Sequence, residues 1–249
     1  MLKKILFSLT LIACTFTQID AQSRAEKVFK TYRFGIYTGP TFNSLRPVAN
    51  EAKGYIVSKV KGNVGFSLGL TADYNINDRY TIFSGVSLDW RGGTISVRDK
   101  DTIVDVDYIF KNEVKYKQQY LTIPIGLKMK AAQFDKIKVY AQTGIDVGFL
   151  LSQKGNISTV YNYYSGVVPI SLEKVKLGQI ARSTPISAGW MLGVGGEYEI
   201  TDKNSAYLTI LYRNGFTDAT VPQSNTAGHK FNDGNIRSNT IAIRVGYYF

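Results

Sequence analysis

Apolar and polar residues alternate with a period of two from about residue 33 to the C-terminus, and no long window repeats at the 3.6-residue period of a helix. The C-terminus is the clearest case. Ile241, Ile243, Val245, Tyr247 and Phe249 share one face, and Thr240, Ala242, Arg244 and Gly246 the other. In residues 62–76, Val64, Phe66, Leu68, Leu70, Ala72, Tyr74 and Ile76 alternate with Gly65, Ser67, Gly69, Thr71, Asp73 and Asn75. The same pattern predicts strands over residues 33–42, 80–91, 120–130, 137–151, 186–200 and 206–216. That makes eight strands.

Their connections alternate in length. Residues 77–79, 131–136 and 201–205 are short and rich in Asn, Asp and Lys, whereas 43–61, 92–119, 152–185 and 217–237 are long. Short turns at one end and long loops at the other are the asymmetry of outer-membrane barrels, whose short turns are periplasmic. A secreted soluble barrel with its apolar face inward would show the same alternation. An eight-stranded interior is only wide enough for side chains to fill, however, and some five large residues from each strand would overfill it. Turned outward, those faces form a belt that lipid covers, with Tyr74, Tyr80, Tyr198, Tyr247 and Phe249 at the turn side and Trp90, Phe149 and Tyr212 at the loop side as interfacial girdles. The predicted fold is therefore all-β: an eight-stranded antiparallel transmembrane up-and-down β-barrel with short periplasmic turns and long extracellular loops.

The start of the chain changes the compartment. Met1-Leu2-Lys3-Lys4, an apolar run over residues 5–13 and a small residue at Ala21 before Gln22 read as a secretory signal peptide cut between Ala21 and Gln22. Leu11-Ile12-Ala13-Cys14 offers a rival lipoprotein cut, with Cys14 acylated. The expected organisation is residues 1–21 signal peptide, 22–32 periplasmic N-terminal segment and 33–249 barrel, located in the bacterial outer membrane. No other stretch approaches the ~20 apolar residues of a spanning helix, and mean hydropathy is only −0.10.

Composition then removes chemistry. With 1 Cys and 1 His, the 249-residue chain has no disulfide scaffold, no Cys-based zinc site and no two-histidine metal motif. No cofactor is expected. The formal charge is +11. Loops 43–61 (Arg46, Lys53, Lys59, Lys61 against Glu51) and 152–185 (Lys154, Lys174, Lys176, Arg182 against Glu173) are basic, a potential suited to anionic lipopolysaccharide. Export argues against nucleic acid as the reason for the basic balance.

The polar faces of the strands carry Arg33, Asp73, Asp89, Arg91, Lys128, Lys130, Lys138, Asp146, Glu197, Glu199, Arg213 and Arg244. Isolated buried charges are costly, so acids and bases sharing a narrow lumen are expected to pair and fill it. A selective ion path is the alternative use. A wide diffusion pore is not expected, because such channels need about 16 strands.

Tyr120-Leu121-Thr122-Ile123-Pro124-Ile125-Gly126-Leu127-Lys128 resembles the Leu-x-Ile-Pro strand of PorT-like outer-membrane β-barrel proteins, and proline inside a paired strand is unusual enough to carry weight. Val139-Tyr140-Ala141-Gln142-Thr143-Gly144, Gly193-Val194-Gly195-Gly196-Glu197-Tyr198 and Tyr212-Arg213-Asn214-Gly215-Phe216 fit the same family's strands, and Phe249 resembles the C-terminal signal read by the barrel-insertion machinery. These motifs are architectural and bring no catalytic residues. The resemblance implies a non-enzymatic envelope component, associated with type IX secretion and with proteins of that complex. The alternative is a surface barrel that binds an extracellular ligand or partner through its long loops, where Tyr161, Asn162, Tyr163 and Tyr164 could anchor it. An enzyme would have to use His229 with Ser224 or Ser238, and no triad motif surrounds Gly228-His229-Lys230.

Overall fold

The computed structural model describes residues 31–48, 51–52, 55–99, 109–163, 166–170, 181–222 and 235–249. The expected signal peptide, Cys14, the Ala21/Gln22 cut, residues 22–30, Ser224 and His229 lie outside the described residues. So does Tyr164, and the side chains of Tyr161, Asn162 and Tyr163 are likewise not described.

Alternation produces strands because successive side chains point to opposite faces of a pleated chain. In chain order these are β1 (Tyr32–Pro47), β2 (Glu51–Ala52), β3 (Tyr55–Lys61), β4 (Asn63–Asn75), β5 (Tyr80–Asp99), β6 (Ile109–Phe134) and β7 (Ile137–Tyr163). They continue with β8 (Gly166–Ile170), β9 (Ala181–Ser183), β10 (Ile186–Glu199), β11 (Ser205–Asp218), β12 (Thr220–Pro222) and β13 (Ile236–Tyr248). Eight of them close a ring in the order β1-β4-β5-β6-β7-β10-β11-β13, every neighbour antiparallel. The seam runs from Gly35 opposite Tyr248 to Pro47 opposite Ile236, and the Phe249 amide adds a bond of 3.0 Å to the Phe34 carbonyl. A closed ring leaves no strand edge unpaired, which hydrocarbon demands.

Parity decides what each face meets. On β1, residues 35, 37, 39, 41, 43 and 45 are buried while their neighbours at 34, 36, 38, 40, 42 and 44 are exposed. The exposed set around the ring includes Ile36, Leu68, Leu70, Ile125, Ile145, Leu192, Val194, Ile210 and Val245. Tyr32 and Tyr74 meet at 5.1 Å near the turns; Phe66 and Trp90 (6.2 Å) and Trp190 and Tyr212 (5.6 Å) meet near the opposite rim.

Large inward rings fit because glycines face them across the ladder. A Cβ at Gly246 would lie 2.3 Å from the Tyr207 ring, at Gly195 2.6 Å from Tyr140, at Gly69 2.6 Å from Tyr37, and at Gly126 2.7 Å from Phe83. The turns are built locally. Asp135 takes φ 49° in the two-residue link between β6 and β7, a conformation Asp tolerates. The Asn77 Oδ1 accepts from the amides of Arg79 (2.9 Å) and Tyr80 (2.8 Å).

Above the barrel the structure differs from the expectation of long loops. Much of 43–61, 92–119 and 152–185 is strand: β5 and β6 stay paired up to Arg98 opposite Lys111, and β6 and β7 up to Ile109 opposite Asn162. With β3 on β5 and β8 on β7, they form a wall in the order β2-β3-β5-β6-β7-β8 standing over one side of the ring. On the other side, β9 and β12 pair as a continuation of the β10–β11 hairpin.

Candidate functional site in the barrel lumen

The inward charges form two clusters at different heights. Near the turns, the Lys128 Nζ donates to both oxygens of Asp73 (2.9 and 2.8 Å) and to the Tyr248 Oη (2.6 Å). Arg33 spans the same level. Its Nη1 and Nη2 donate to the two carboxylate oxygens of Glu197 (2.5 and 3.2 Å), and Nη2 also reaches Asp73 at 3.4 Å. The Ser205 Oγ completes Glu197 at 2.9 Å, while Arg33 lies 4.4 Å over the Tyr248 ring. Forked guanidinium–carboxylate pairing of this kind holds both groups in one geometry. Six strands supply these groups: β1, β4, β6, β10, β11 and β13.

Towards the other rim, Arg91 donates to Asp89 (2.7 Å) and to the Thr122 Oγ1 (3.0 Å), and the Ser67 Oγ donates to Asp89 at 2.6 Å. Arg213 donates through Nε to Asp146 (2.5 Å) and through Nη2 to the Ser187 Oγ (2.9 Å). Arg91 stands 3.9 Å from Asp146, which links the two pairs. Between the clusters lie Phe83, Met191, Leu211 and Ala242, an apolar layer at lumen depth. Arg244 sits 4.5 Å over the Tyr37 ring.

Two of the sequence-selected positions pair closer to the turn end: Lys138 with Glu199 at 2.6 Å. Lys130 is not brought into either cluster; its Nζ donates to the Gln133 Oε1 at 3.1 Å beside the β6–β7 turn. The selection by charge also omitted the lumen's tyrosines. Tyr37, Tyr140, Tyr207 and Tyr248 are all buried; Tyr207 stacks on Tyr248 at 4.7 Å, and the Tyr140 hydroxyl shares a 2.6 Å bond with Thr209. The signal that identifies them is parity, since each shares its strand face with an inward charge or threonine.

The upper lumen is closed by packing. Tyr116, Ile95 and Ile236 are fully buried, joined there by Leu45. The Gln118 Nε2 donates to the Ser183 Oγ (2.6 Å) and the Ala219 carbonyl (3.3 Å), while the Tyr120 hydroxyl donates to the Thr184 carbonyl (2.9 Å). These bonds tie the segments leading to β9 and β12 across to the inner face of β6. Two cavities within the described lumen each hold about 20 Å³, room for about one water apiece. Among the described residues the lumen is a filled interior and not a conduit.

Comparison with known proteins decides what this barrel is. A family model described as "Outer membrane protein beta-barrel domain" matches residues 20–226. The chain belongs to that outer-membrane β-barrel family. It is a protein of the bacterial outer membrane, and its exposed apolar belt faces lipid. Among solved structures it is similar to the outer membrane protease OmpT of Escherichia coli, at 10% identity and TM-score 0.54, covering 92% of this chain and 99% of that one. It is also similar to Ail, the attachment invasion locus protein of Yersinia pestis, at 10% identity and TM-score 0.36, covering 88% and 100%. Neisserial surface protein A is a third, at 13% identity and TM-score 0.36, covering 86% and 95%. No curated protein sequence matches the chain. The likeness to OmpT is one of fold.

Proposed function

We propose that this outer-membrane barrel is a non-enzymatic envelope component that works through its outer surfaces, as a PorT-like protein associated with type IX secretion. The observation that carries this reading is the filled lumen: its acids are bonded to bases or hydroxyls, and its cavities of about 20 Å³ are too small for any organic substrate. Work must then be done by the wall, the loops, the periplasmic turns or the N-terminal segment. The Tyr120–Lys128 motif supports the PorT-like assignment. Its Pro124 lies on the inner face of β6, and the ladder to β5 skips from Ser84 opposite Ile125 to Ser87 opposite Thr122. A proline cannot donate there, and the Ser84 hydroxyl bonds the Pro124 carbonyl at 2.9 Å. Secretion-complex proteins are the proposed partners, with the barrel-insertion machinery during assembly.

The test is the secreted and surface proteome of a clean deletion strain beside its parent. Periplasmic retention of many otherwise secreted proteins, restored by complementation, is the expected result. An unchanged secretome would overturn the secretion role.

A second reading, a surface barrel binding an extracellular partner, is favoured by the wall itself. Lys61, Lys115, Lys117 and Lys154 are exposed on it, with Lys117 directly opposite Lys154. Like charges facing each other repel, and the phosphates of lipopolysaccharide are the counter-charge we propose for them. Loss of affinity for lipopolysaccharide in a variant with all four lysines changed to glutamine, with secretion intact, would favour this second reading.

A further inference from the structure

The inward charges of the barrel do not balance. Lys128 and Arg33 are matched by Asp73 and Glu197, and Lys138 by Glu199. In the cluster nearer the outer rim, Arg91 is matched by Asp89 and Arg213 by Asp146. Arg244, from β13, is left over: among the described residues it makes no ion pair within 4.0 Å, it lies 4.5 Å over the face of Tyr37, and the nearby Asp89 is already paired with Arg91. Arg91, Arg213 and Arg244 line a single cavity of about 20 Å³ together with Asp89 and Asp146. Three guanidinium groups therefore surround that space against two carboxylates.

The donors around it are also unfilled. The Arg91 Nη1, Arg213 Nη1 and Arg244 Nε atoms are buried without a protein hydrogen-bond partner. Buried donors left unpaired are costly, and those on charged groups most of all. One acceptor, the Asp146 Oδ1, is in the same condition. A water could serve that oxygen and some of the N–H groups, and the space is large enough for one. Water leaves the excess positive charge where it is, however, and an unbalanced charge in an interior of low dielectric is the dearer of the two defects.

We propose that this cavity is a binding site for a single monatomic anion, a halide such as chloride, held by Arg91, Arg213 and Arg244 in the barrel lumen. An ion little larger than water fits; phosphate, sulfate and organic carboxylates do not fit a space of about 20 Å³. Because packing closes the lumen on both sides of it, the ion enters as the barrel folds and acts as part of the core. It is a structural anion that completes the charge balance of β5, β7, β11 and β13.

The experiment is refolding of the full barrel into bilayers of dimyristoyl phosphatidylcholine, at fixed ionic strength, with chloride replaced stepwise by gluconate. Urea unfolding is followed by the fluorescence of Trp90 and Trp190. A ligand bound only by the folded state raises the folded-to-unfolded ratio in proportion to its concentration once above Kd, so the ratio approaches a tenfold rise per decade of chloride. In Arg244→Gln, which removes the excess charge, that dependence is lost. Equal behaviour in chloride and gluconate, or an unchanged chloride dependence in Arg244→Gln, overturns the proposal and leaves water in the cavity. Should that variant fail to fold, wild-type protein refolded and crystallised in bromide supplies the second measurement. An anomalous-scattering peak among Arg91, Arg213 and Arg244 is expected, and a lumen without one overturns the site.

Discussion

Asp73 is a heavily used carboxylate of the lumen: Lys128 takes both its oxygens, Arg33 reaches one, and the Thr71 hydroxyl bonds the other at 3.4 Å. Replacing it by asparagine strands Lys128 at the turn-side level of the lumen. Removing one partner of a buried pair costs ~3–5 kcal/mol, because the surviving charge keeps its desolvation penalty. Asp73→Asn should therefore lower the free energy of unfolding by that amount, read as a lower urea midpoint at unchanged m-value, and Asp73→Asn/Lys128→Met should recover part of it. Glycine packing gives a second prediction at this scale. Gly246→Ala places a methyl group 2.3 Å from the Tyr207 ring, and overpacking of this sort costs ~1–3 kcal/mol. The pair Gly246→Ala/Tyr207→Leu should be more stable than the glycine variant alone, read by the same unfolding curve. Charges were legible in the sequence because no lipid-facing position tolerates them. The tyrosines were less so, because an amphipathic ring suits a membrane girdle as well as a lumen; Tyr37 and Tyr140 nevertheless fall with Arg33, Thr41, Lys138 and Gln142 on the polar side of the alternation. Tyr74 and Tyr198 are at the surface and Tyr207 and Tyr248 inside, and only their parity along the strand separates them.

At the scale of the strand, the alternation is a measure of sidedness. Val194 on β10 is 59% exposed and lies four residues from Trp190 at one rim and four from Tyr198 at the other, so it marks the midplane of the apolar belt. Val194→Arg should cost ~2–4 kcal/mol by urea unfolding in bilayers, and Ile200→Arg, beyond the turn-side girdle, ~0–1 kcal/mol. Equal costs at the two positions would put the belt in the wrong place. The eight barrel segments were legible because lipid on one face and packed polar groups on the other write a period of two. Beyond the belt the outer face of β6 meets water at Lys115 and Lys117 while Tyr116 and Gln118 on the inner face are buried in the cap, so burial still alternates but the contrast of apolar against polar residues is lost. Residues 111–119, with Lys111, Lys115 and Lys117 among Tyr116, Gln118 and Gln119, read as loop for that reason, although β6 runs through them unbroken. Pro40 and Pro124 sit within long strands, as the alternation through residues 33–42 and 120–130 predicts, at the cost of gaps in the ladders to β13 and β5.

For the whole molecule, ring and wall are held by different forces, and this allows them to be separated. The ring is closed on itself, seated in lipid and filled by packed side chains. The wall continues β5, β6 and β7 beyond the ring, with β3 paired on β5, and its outermost ladder adds backbone pairing. Its highest β5–β6 pairs run from Ser96 opposite Glu113 to Arg98 opposite Lys111, while Ile95 and Tyr116 below them belong to the buried cap of the lumen. Deleting residues 97–112 and joining Ser96 to Glu113 by Asn-Gly, a sequence suited to a two-residue hairpin, should leave that cap untouched. The shortened chain is expected to insert and to keep the altered mobility of a folded barrel on unboiled gels, with its urea midpoint close to that of the parent. The same truncation made lower, across Ile95 and Tyr116, should lose stability sharply by opening the cap. If the upper cut also unfolded the barrel, the wall would be part of the folding unit and not an appendage. If the barrel survives it, any change in secretion or in lipopolysaccharide binding belongs to the wall, because the filled lumen and the lipid-facing belt are the same in both proteins.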